Sequence, residues 1–188
     1  MSSSLAPVLA YGVNEDSISL DVRLTARVAL IFFWLAYTGK VLNKFFGPIF
    51  APLSRHTREL GLAFAAALTS HLIFVAWLFA IAQRPPLGES GILYFGVGAC
   101  WVFAIAALSM CRLPCVRDAY AWRLFRIVGT EYVALLFFRD LVIGPIVNGV
   151  KHPIEYLPFS ALITIGLALS WSRAVLRCTK WRLRRIDD

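Results

Sequence analysis

Five long apolar runs, separated by short polar and basic segments, dominate the pattern of this chain. The runs are Leu24–Val41, Leu60–Ala82, Gly91–Met110, Ile127–Val147 and Tyr156–Leu176. At about 1.5 Å per residue the second run extends over roughly 34 Å, more than the bilayer hydrocarbon core of about 30 Å. The pattern therefore predicts an all-α integral membrane bundle of five transmembrane helices.

The polar segments at the two ends divide the chain into three parts. Residues 1–22 are predicted to form a polar or interfacial tail, residues 23–177 the five-helix domain and residues 178–188 a basic cytoplasmic tail. The first twenty residues lack a basic region before their apolar patch, so no cleavable signal peptide is predicted. No internal repeat is visible, and a single domain accounts for the chain.

Composition agrees with this pattern. Of the 188 residues 59% are hydrophobic and only 16% are charged, and the mean hydropathy is +0.70. A soluble domain carries about 25% charged residues. The net charge of +8 would suit nucleic acid, but the cations lie at the ends of the apolar runs, which is typical of membrane topology. The predicted partner is a lipid bilayer and not a nucleic acid.

The distribution of basic residues predicts the orientation, because cytoplasmic loops are enriched in Lys and Arg. Cations cluster at or after the ends of the first, third and fifth runs: Lys40, Lys44, Arg55, Arg58; Arg112, Arg117, Arg123, Arg126; Arg173, Arg177, Lys180, Arg182, Arg184 and Arg185. The expected topology has the N-terminus outside and the C-terminus inside a bacterial-type inner membrane.

Ionisable residues within the apolar runs are the candidate functional residues. His71 is the only one in the second run, about 18 Å from its cytoplasmic end. Asp140 lies about 20 Å into the fourth run, and Arg139 is one residue shallower. Charges in hydrocarbon cost several kcal/mol unless paired or facing a cavity. These three side chains are therefore expected to converge inside the bundle.

Two interpretations of these residues are open. Arg139 and Asp140 form a structural pair, with His71 hydrogen-bonded across helices, or Asp140, Glu131 and His71 act as acids and bases on a lipid-like substrate. Glu131 lies one turn inside the cytoplasmic end, and its alternative role is to reach back toward Arg126 or Arg123.

The two histidines His56 and His71 suggest a third possibility. Fifteen residues apart, they lie about 60° apart around an ideal helix axis. Imidazole is a usual axial ligand of haem iron.

The segment RHTRELGLAFAAALTSHLIFVAWL resembles the second helix of the ferric-reductase-like transmembrane domain, which includes haem-binding subunits of bacterial sulfoxide reductase systems. Leu60-Gly61 and the mid-helix His71 match that pattern, and AALSM together with Trp122–Arg126 resembles the next helix and its entry. The resemblance covers residues 24–147. It implies haem b on His71, with His56 an approximate match to a second histidine and Arg139 near a haem propionate.

This chain departs from the family at two positions. Phe125 and Arg126 replace a histidine after the Trp, and Phe137 to Asp140 occupy the place of a deeper histidine. The fourth and fifth runs contain no histidine. The resemblance thus leaves a five-coordinate haem on His71 or a haem-free descendant of the fold.

Three functions follow as hypotheses. The first is a haem-binding or electron-transfer subunit, whose electron donor is a separate protein because no flavin or nicotinamide domain follows. The second is an integral-membrane enzyme in which Asp140, Glu131 and His71 act as acids and bases on a lipid-like substrate. The third is a haem-free accessory subunit of a larger membrane complex, in which the intramembrane charges fix packing or partner choice.

Overall fold

The computed structural model describes residues 15–82, 89–111, 120–145 and 153–184, and these are helical apart from isolated turn residues. No strand occurs in those ranges, so the all-α prediction is confirmed for them. The five long helices are α1 Glu15–Phe46, α2 Thr57–Ala82, α3 Glu89–Met110, α4 Tyr120–Phe138 and α5 Pro153–Arg184.

Two of these helices are long and apolar enough to cross a membrane: α2 over Thr57–Ile81 and α3 over Gly91–Met110. Both coincide with predicted runs. The helices α1 and α4 carry charged residues, among them Arg27, Lys40 and Glu131, within their apolar stretches. Such residues lower the hydropathy of a helix and raise the cost of placing it in hydrocarbon.

The helix α1 begins earlier than the sequence predicts. Residues 15–22 were expected in the polar tail, but they form its first two turns, and Ile18 is fully buried. At the other end α5 continues to Arg184, into the predicted basic tail. Helix formation therefore extends beyond the apolar runs at both ends of the chain.

The chain divides into two compact units. The first comprises the described residues 15–33, 58–82, 89–111 and 120–136. In it the Phe33 and Phe64 rings lie 5.2 Å apart, and His71 contacts Val22, so α2 runs antiparallel to the first half of α1. Arg58 Nη2 donates to the Ser109 carbonyl oxygen at 2.9 Å, which places the start of α2 beside the end of α3. The carbonyl groups at a helix C-terminus attract cations, so this contact stabilises that end of α3.

Packing of α3 against α4 depends on the absence of a side chain at Gly129. A Cβ atom there would lie 2.3 Å from Trp101 Cδ1, so the indole rests directly on the α4 backbone. Trp101 Nε1 also donates to the Phe125 carbonyl oxygen at 3.3 Å, and its ring lies 6.0 Å from that of Tyr132. Gly98 on α3 also allows close packing, since a Cβ atom at this position would lie 2.6 Å from Leu136 Cδ1.

The second unit comprises the described residues 34–57, 137–145 and 153–184. Trp34 Nε1, on α1, donates to the Leu162 carbonyl oxygen of α5 at 2.7 Å. Close approach is again allowed by a glycine, since a Cβ atom at Gly166 would lie 3.1 Å from Trp34 Nε1 and 3.4 Å from Thr38 Cγ2. Because Trp34 and Thr38 meet successive turns of α5 in the same order, the two segments run parallel.

The proline-containing segment after α1 is divided into two short helices. It forms a 3-10 helix at Gly47–Phe50 and a short α-helix at Ala51–Arg55, each with a proline in its first turn. Gly47 has a φ of 77°, a backbone conformation that glycine adopts without a Cβ clash. The helix α1 ends at the residue before Gly47.

Candidate functional site

The side chain of His71 is held against the N-terminal part of α1. Its Nδ1 atom lies 3.2 Å from the Val22 carbonyl oxygen and 3.2 Å from Thr25 Oγ1. All three residues belong to the first unit. The interhelical hydrogen bond predicted for His71 is therefore present, with α1 as its partner.

These contacts decide which ring nitrogen carries the hydrogen when the imidazole is neutral. A carbonyl oxygen only accepts, so His71 Nδ1 is the donor to Val22. The Thr25 hydroxyl donates to the Asp21 carbonyl oxygen at 2.8 Å and so offers its own lone pair to the same N–H. The Nε2 atom then has a lone pair, and no described residue hydrogen-bonds to it. That atom can accept a proton or coordinate a metal ion.

Asp21 is a buried acidic group that the sequence did not single out. Its side chain is 0% exposed, and neither carboxylate oxygen has a hydrogen-bond partner among the described residues. It precedes the predicted first span, and burial raises the pKa of its carboxyl above the ordinary value of 3.8. Within the helix Asp21 lies one turn before Thr25 and on the same face. The site thus contains a buried acid as well as an imidazole.

A signal for Asp21 is present in the sequence. Ile18, Asp21, Thr25 and Ala29 are spaced by three, four and four residues, the spacing of one helix face, and all four are buried. The periodicity is easily missed, because half of these positions precede the first apolar run and Asp21 also counts as a charge outside the predicted span.

His56 does not lie on the same helix as His71. It occupies the turn between the short helix Ala51–Arg55 and α2, which begins at Thr57, and its N–H donates to the Pro52 carbonyl oxygen at 3.0 Å. The angular relation expected for an uninterrupted helix is therefore wrong. The reason is local. The short proline-containing helix ends at Arg55 and α2 begins at Thr57, so a turn at His56 separates the two helices. His56 is exposed and belongs to the second unit.

Arg139 and Asp140 begin a π-helical turn, Arg139–Ile143, that follows α4. The Gly144 N–H donates to the Arg139 carbonyl oxygen, and Ser160 Oγ donates to the Leu141 carbonyl oxygen at 2.6 Å. Such turns leave backbone groups that need other partners, and here Ser160 of α5 supplies one. The helix predicted over the fourth run thus contains a π turn.

Both charged side chains of the π turn are exposed, so the prediction that Arg139 and Asp140 are buried inside the bundle is wrong. They belong to the second unit and His71 to the first. Their approach to His71, and the place of Arg139 beside a haem propionate, stay predictions.

Glu131 is half-buried on α4 in the first unit, away from the π turn in the sequence. Its proposed reach toward Arg126 or Arg123 stays a prediction, as does a catalytic role for Glu131 and Asp140. Among the described residues no group of three or more His, Cys, Asp or Glu side chains is arranged to hold a metal ion. The third histidine, His152, lies outside the described residues.

Comparison with protein-family models, with curated proteins and with solved structures gives no match for this chain. The resemblance to the ferric-reductase-like domain consequently stays a prediction from its residues.

Proposed function

We propose that the protein is a five-span subunit of a bacterial-type inner membrane that binds haem b through His71 and exchanges electrons with a separate partner protein. The N-terminus lies outside and the C-terminus in the cytoplasm. The observation that carries the haem assignment is the hydrogen bond between His71 Nδ1 and the Val22 carbonyl oxygen.

This hydrogen bond suits a metal-binding imidazole. Histidines that coordinate metals almost always donate their other ring N–H to a carbonyl, carboxylate or water, which fixes the ring and raises its basicity. Val22 and Thr25 do this for His71 Nδ1 and leave Nε2 as the donor atom for iron. A single imidazole suffices for a five-coordinate haem, which supplies one-electron chemistry when bound.

The directions of the helix pairs support the proposed topology. The start of α2 lies beside the end of α3, as two successive crossings require. The pair of α3 and α4 is also antiparallel, because Tyr132 Oη donates to the Tyr94 carbonyl oxygen while Trp101 Nε1 donates to that of Phe125. The first and fifth of five crossings run in the same direction, as the contacts of Trp34 and Thr38 with α5 do.

The absorption spectrum of the purified protein tests this function. Protein purified in detergent from haem-replete cells is expected to have a Soret band that His71→Ala abolishes. His56→Ala is the matched control, because His56 is exposed and lies outside α2, and this variant is expected to keep the band. Helical content and elution volume are measured for each variant, so that loss of folding is recognised. A colourless wild-type protein that resists reconstitution with hemin contradicts the proposal.

A further inference from the structure

The position of Asp21 is the starting point for an inference beyond haem binding. A carboxylate without hydrogen bonds or an ion pair is strongly disfavoured away from water. Asp21 has 0% exposure, and neither of its oxygens has a partner among the described residues. The groups around it include the fully buried Ile18 on the same helix face. A proton is the smallest ligand that neutralises such a group.

Asp21 is connected to the imidazole through Thr25. The Thr25 hydroxyl donates to the Asp21 carbonyl oxygen at 2.8 Å, and its Oγ1 atom lies 3.2 Å from His71 Nδ1. The same turn of α1 supplies the Val22 carbonyl that accepts from His71. Any shift of this turn therefore alters both contacts of the imidazole.

Among the described residues, few charged side chains could pair with the Asp21 carboxylate. From α2 the described contacts bring His71, whose Nδ1–H is engaged by Val22 and Thr25. On α1 itself Arg23 is exposed, and Arg27 is half-buried and has an interaction of its own. No described residue of α3 or α4 hydrogen-bonds to the Asp21 oxygens. An ionised Asp21 carboxylate thus has no hydrogen-bonding counter-charge among the described residues.

We propose that Asp21 is a proton-binding site: its carboxyl group holds a proton in the native protein, and release of that proton loosens the contact between α1 and α2 at His71. On release the O–H bond breaks, the proton passes to water or hydroxide, and one negative charge stays in the buried site. The turn Asp21–Thr25 then moves toward water to solvate this charge. Protonation thereby controls the position of the His71 side chain.

Infrared spectroscopy tests the bound proton without any need for haem. The wild-type-minus-Asp21→Asn difference spectrum at pH 7 is expected to contain a carboxylic-acid C=O band that disappears as the pH is raised. Glu59→Gln, at an exposed acid on α2, is the matched control and should lack this band in its own difference spectrum. A carboxylate band at pH 7 in place of the acid band overturns the proposal.

A distance measurement tests the movement. Spin labels are attached at Leu20→Cys and Ile73→Cys, two exposed positions close to the contact, after replacement of the four native cysteines. The label-to-label distance is expected to lengthen or broaden over the pH range in which the acid band is lost. With Asp21→Asn it should stay constant. If the wild-type distance stays unchanged while the acid band disappears, the proposed loosening of the contact between α1 and α2 is overturned. This titration uses no substitution of Asp21.

Neither readout depends on haem. A colourless protein that has the acid band and the distance change contradicts the proposed function alone. A protein with a Soret band but without the acid band contradicts the proton site alone.

Discussion

His71 Nδ1 lies 3.2 Å from the carbonyl oxygen of Val22, which is 49 residues earlier in the chain. The contact joins α2 to a turn of α1 that precedes the first apolar run. It determines that the neutral imidazole keeps its hydrogen on Nδ1, because the carbonyl only accepts. The ring nitrogen available for other chemistry is consequently Nε2.

Thr25→Val is expected to weaken haem binding without abolishing it. Valine keeps the branched shape but removes the hydroxyl that accepts from His71, leaving Val22 as the only acceptor. Loss of such an outer partner typically lowers metal affinity by about tenfold to a hundredfold. Titration of the haem-free protein with hemin, followed at the Soret band, measures this change.

The matched control for that variant is Thr69→Val on α2. Its hydroxyl also bonds within its own helix, to the Ala65 carbonyl oxygen, but the side chain is exposed. Equal affinities for the two variants would show that the Thr25 hydroxyl does not support the imidazole.

The helices of this protein could be predicted more completely than its site. The apolar runs identified all five long helices, because the number and spacing of apolar residues can be read directly from the sequence. The partner of His71 was not predictable, since it is a backbone carbonyl that any residue at position 22 would supply. Depth arithmetic predicted burial of Asp140 but carried no information on helix rotation, and the side chain is exposed.

Gly129→Ala is expected to destabilise the packing of α3 on α4. The new Cβ atom would lie 2.3 Å from Trp101 Cδ1 and 2.4 Å from its Nε1, so the indole or the helix must shift. Overpacking of this kind costs about 1–3 kcal/mol. Thermal unfolding in detergent, followed by circular dichroism, measures the loss.

Gly96→Ala is the control for this substitution, since a Cβ atom added at this position of α3 would meet nothing within 4 Å. Alanine favours helix over glycine by up to about 1 kcal/mol, so this variant should be as stable as the wild type or more stable. A similar loss for both variants would contradict the role of the Trp101 contact.

Ser160→Ala is expected to destabilise the π turn that carries Arg139 and Asp140. The Ser160 hydroxyl donates to the Leu141 carbonyl oxygen at 2.6 Å, and alanine leaves that carbonyl without this donor. A cost of about 1 kcal/mol is expected in denaturant unfolding. Ser172→Ala, whose exposed hydroxyl bonds to the Leu169 carbonyl of its own helix, should change stability by less than about 0.5 kcal/mol. Equal losses of stability for the two variants would contradict the role of the hydrogen bond between Ser160 and Leu141.

The stability of the protein should fall as the pH rises because of Asp21. Burial raises the pKa of this carboxyl in the native state above 3.8, its ordinary value, so the native state binds the proton more tightly than the unfolded chain does. Below that ordinary value both states are protonated and the contribution is complete. Between the two pKa values stability declines with pH, and above the native pKa the loss is constant.

Unfolding by denaturant at a series of pH values measures this slope. Asp21→Asn, which mimics the protonated carboxyl, should remove this decline of stability with pH. Glu59→Gln, at an exposed position, should retain the decline. Parallel pH profiles for the wild type and Asp21→Asn would contradict the assignment.

Chemical labelling of cysteines tests the crossing of the membrane by α2 and α3. Arg58 Nη2 and the Ser109 carbonyl oxygen are 2.9 Å apart, so the start of α2 and the end of α3 must face the same side. In the proposed orientation this side is the cytoplasm, so the exposed Cys111 and the variant Glu59→Cys are expected to react with an impermeant maleimide only after the cells are permeabilised. Ile81→Cys, an exposed position at the opposite end of α2, should react in intact spheroplasts. Reaction of all three positions from one side would contradict the crossing of α2, and the opposite pattern would invert the orientation.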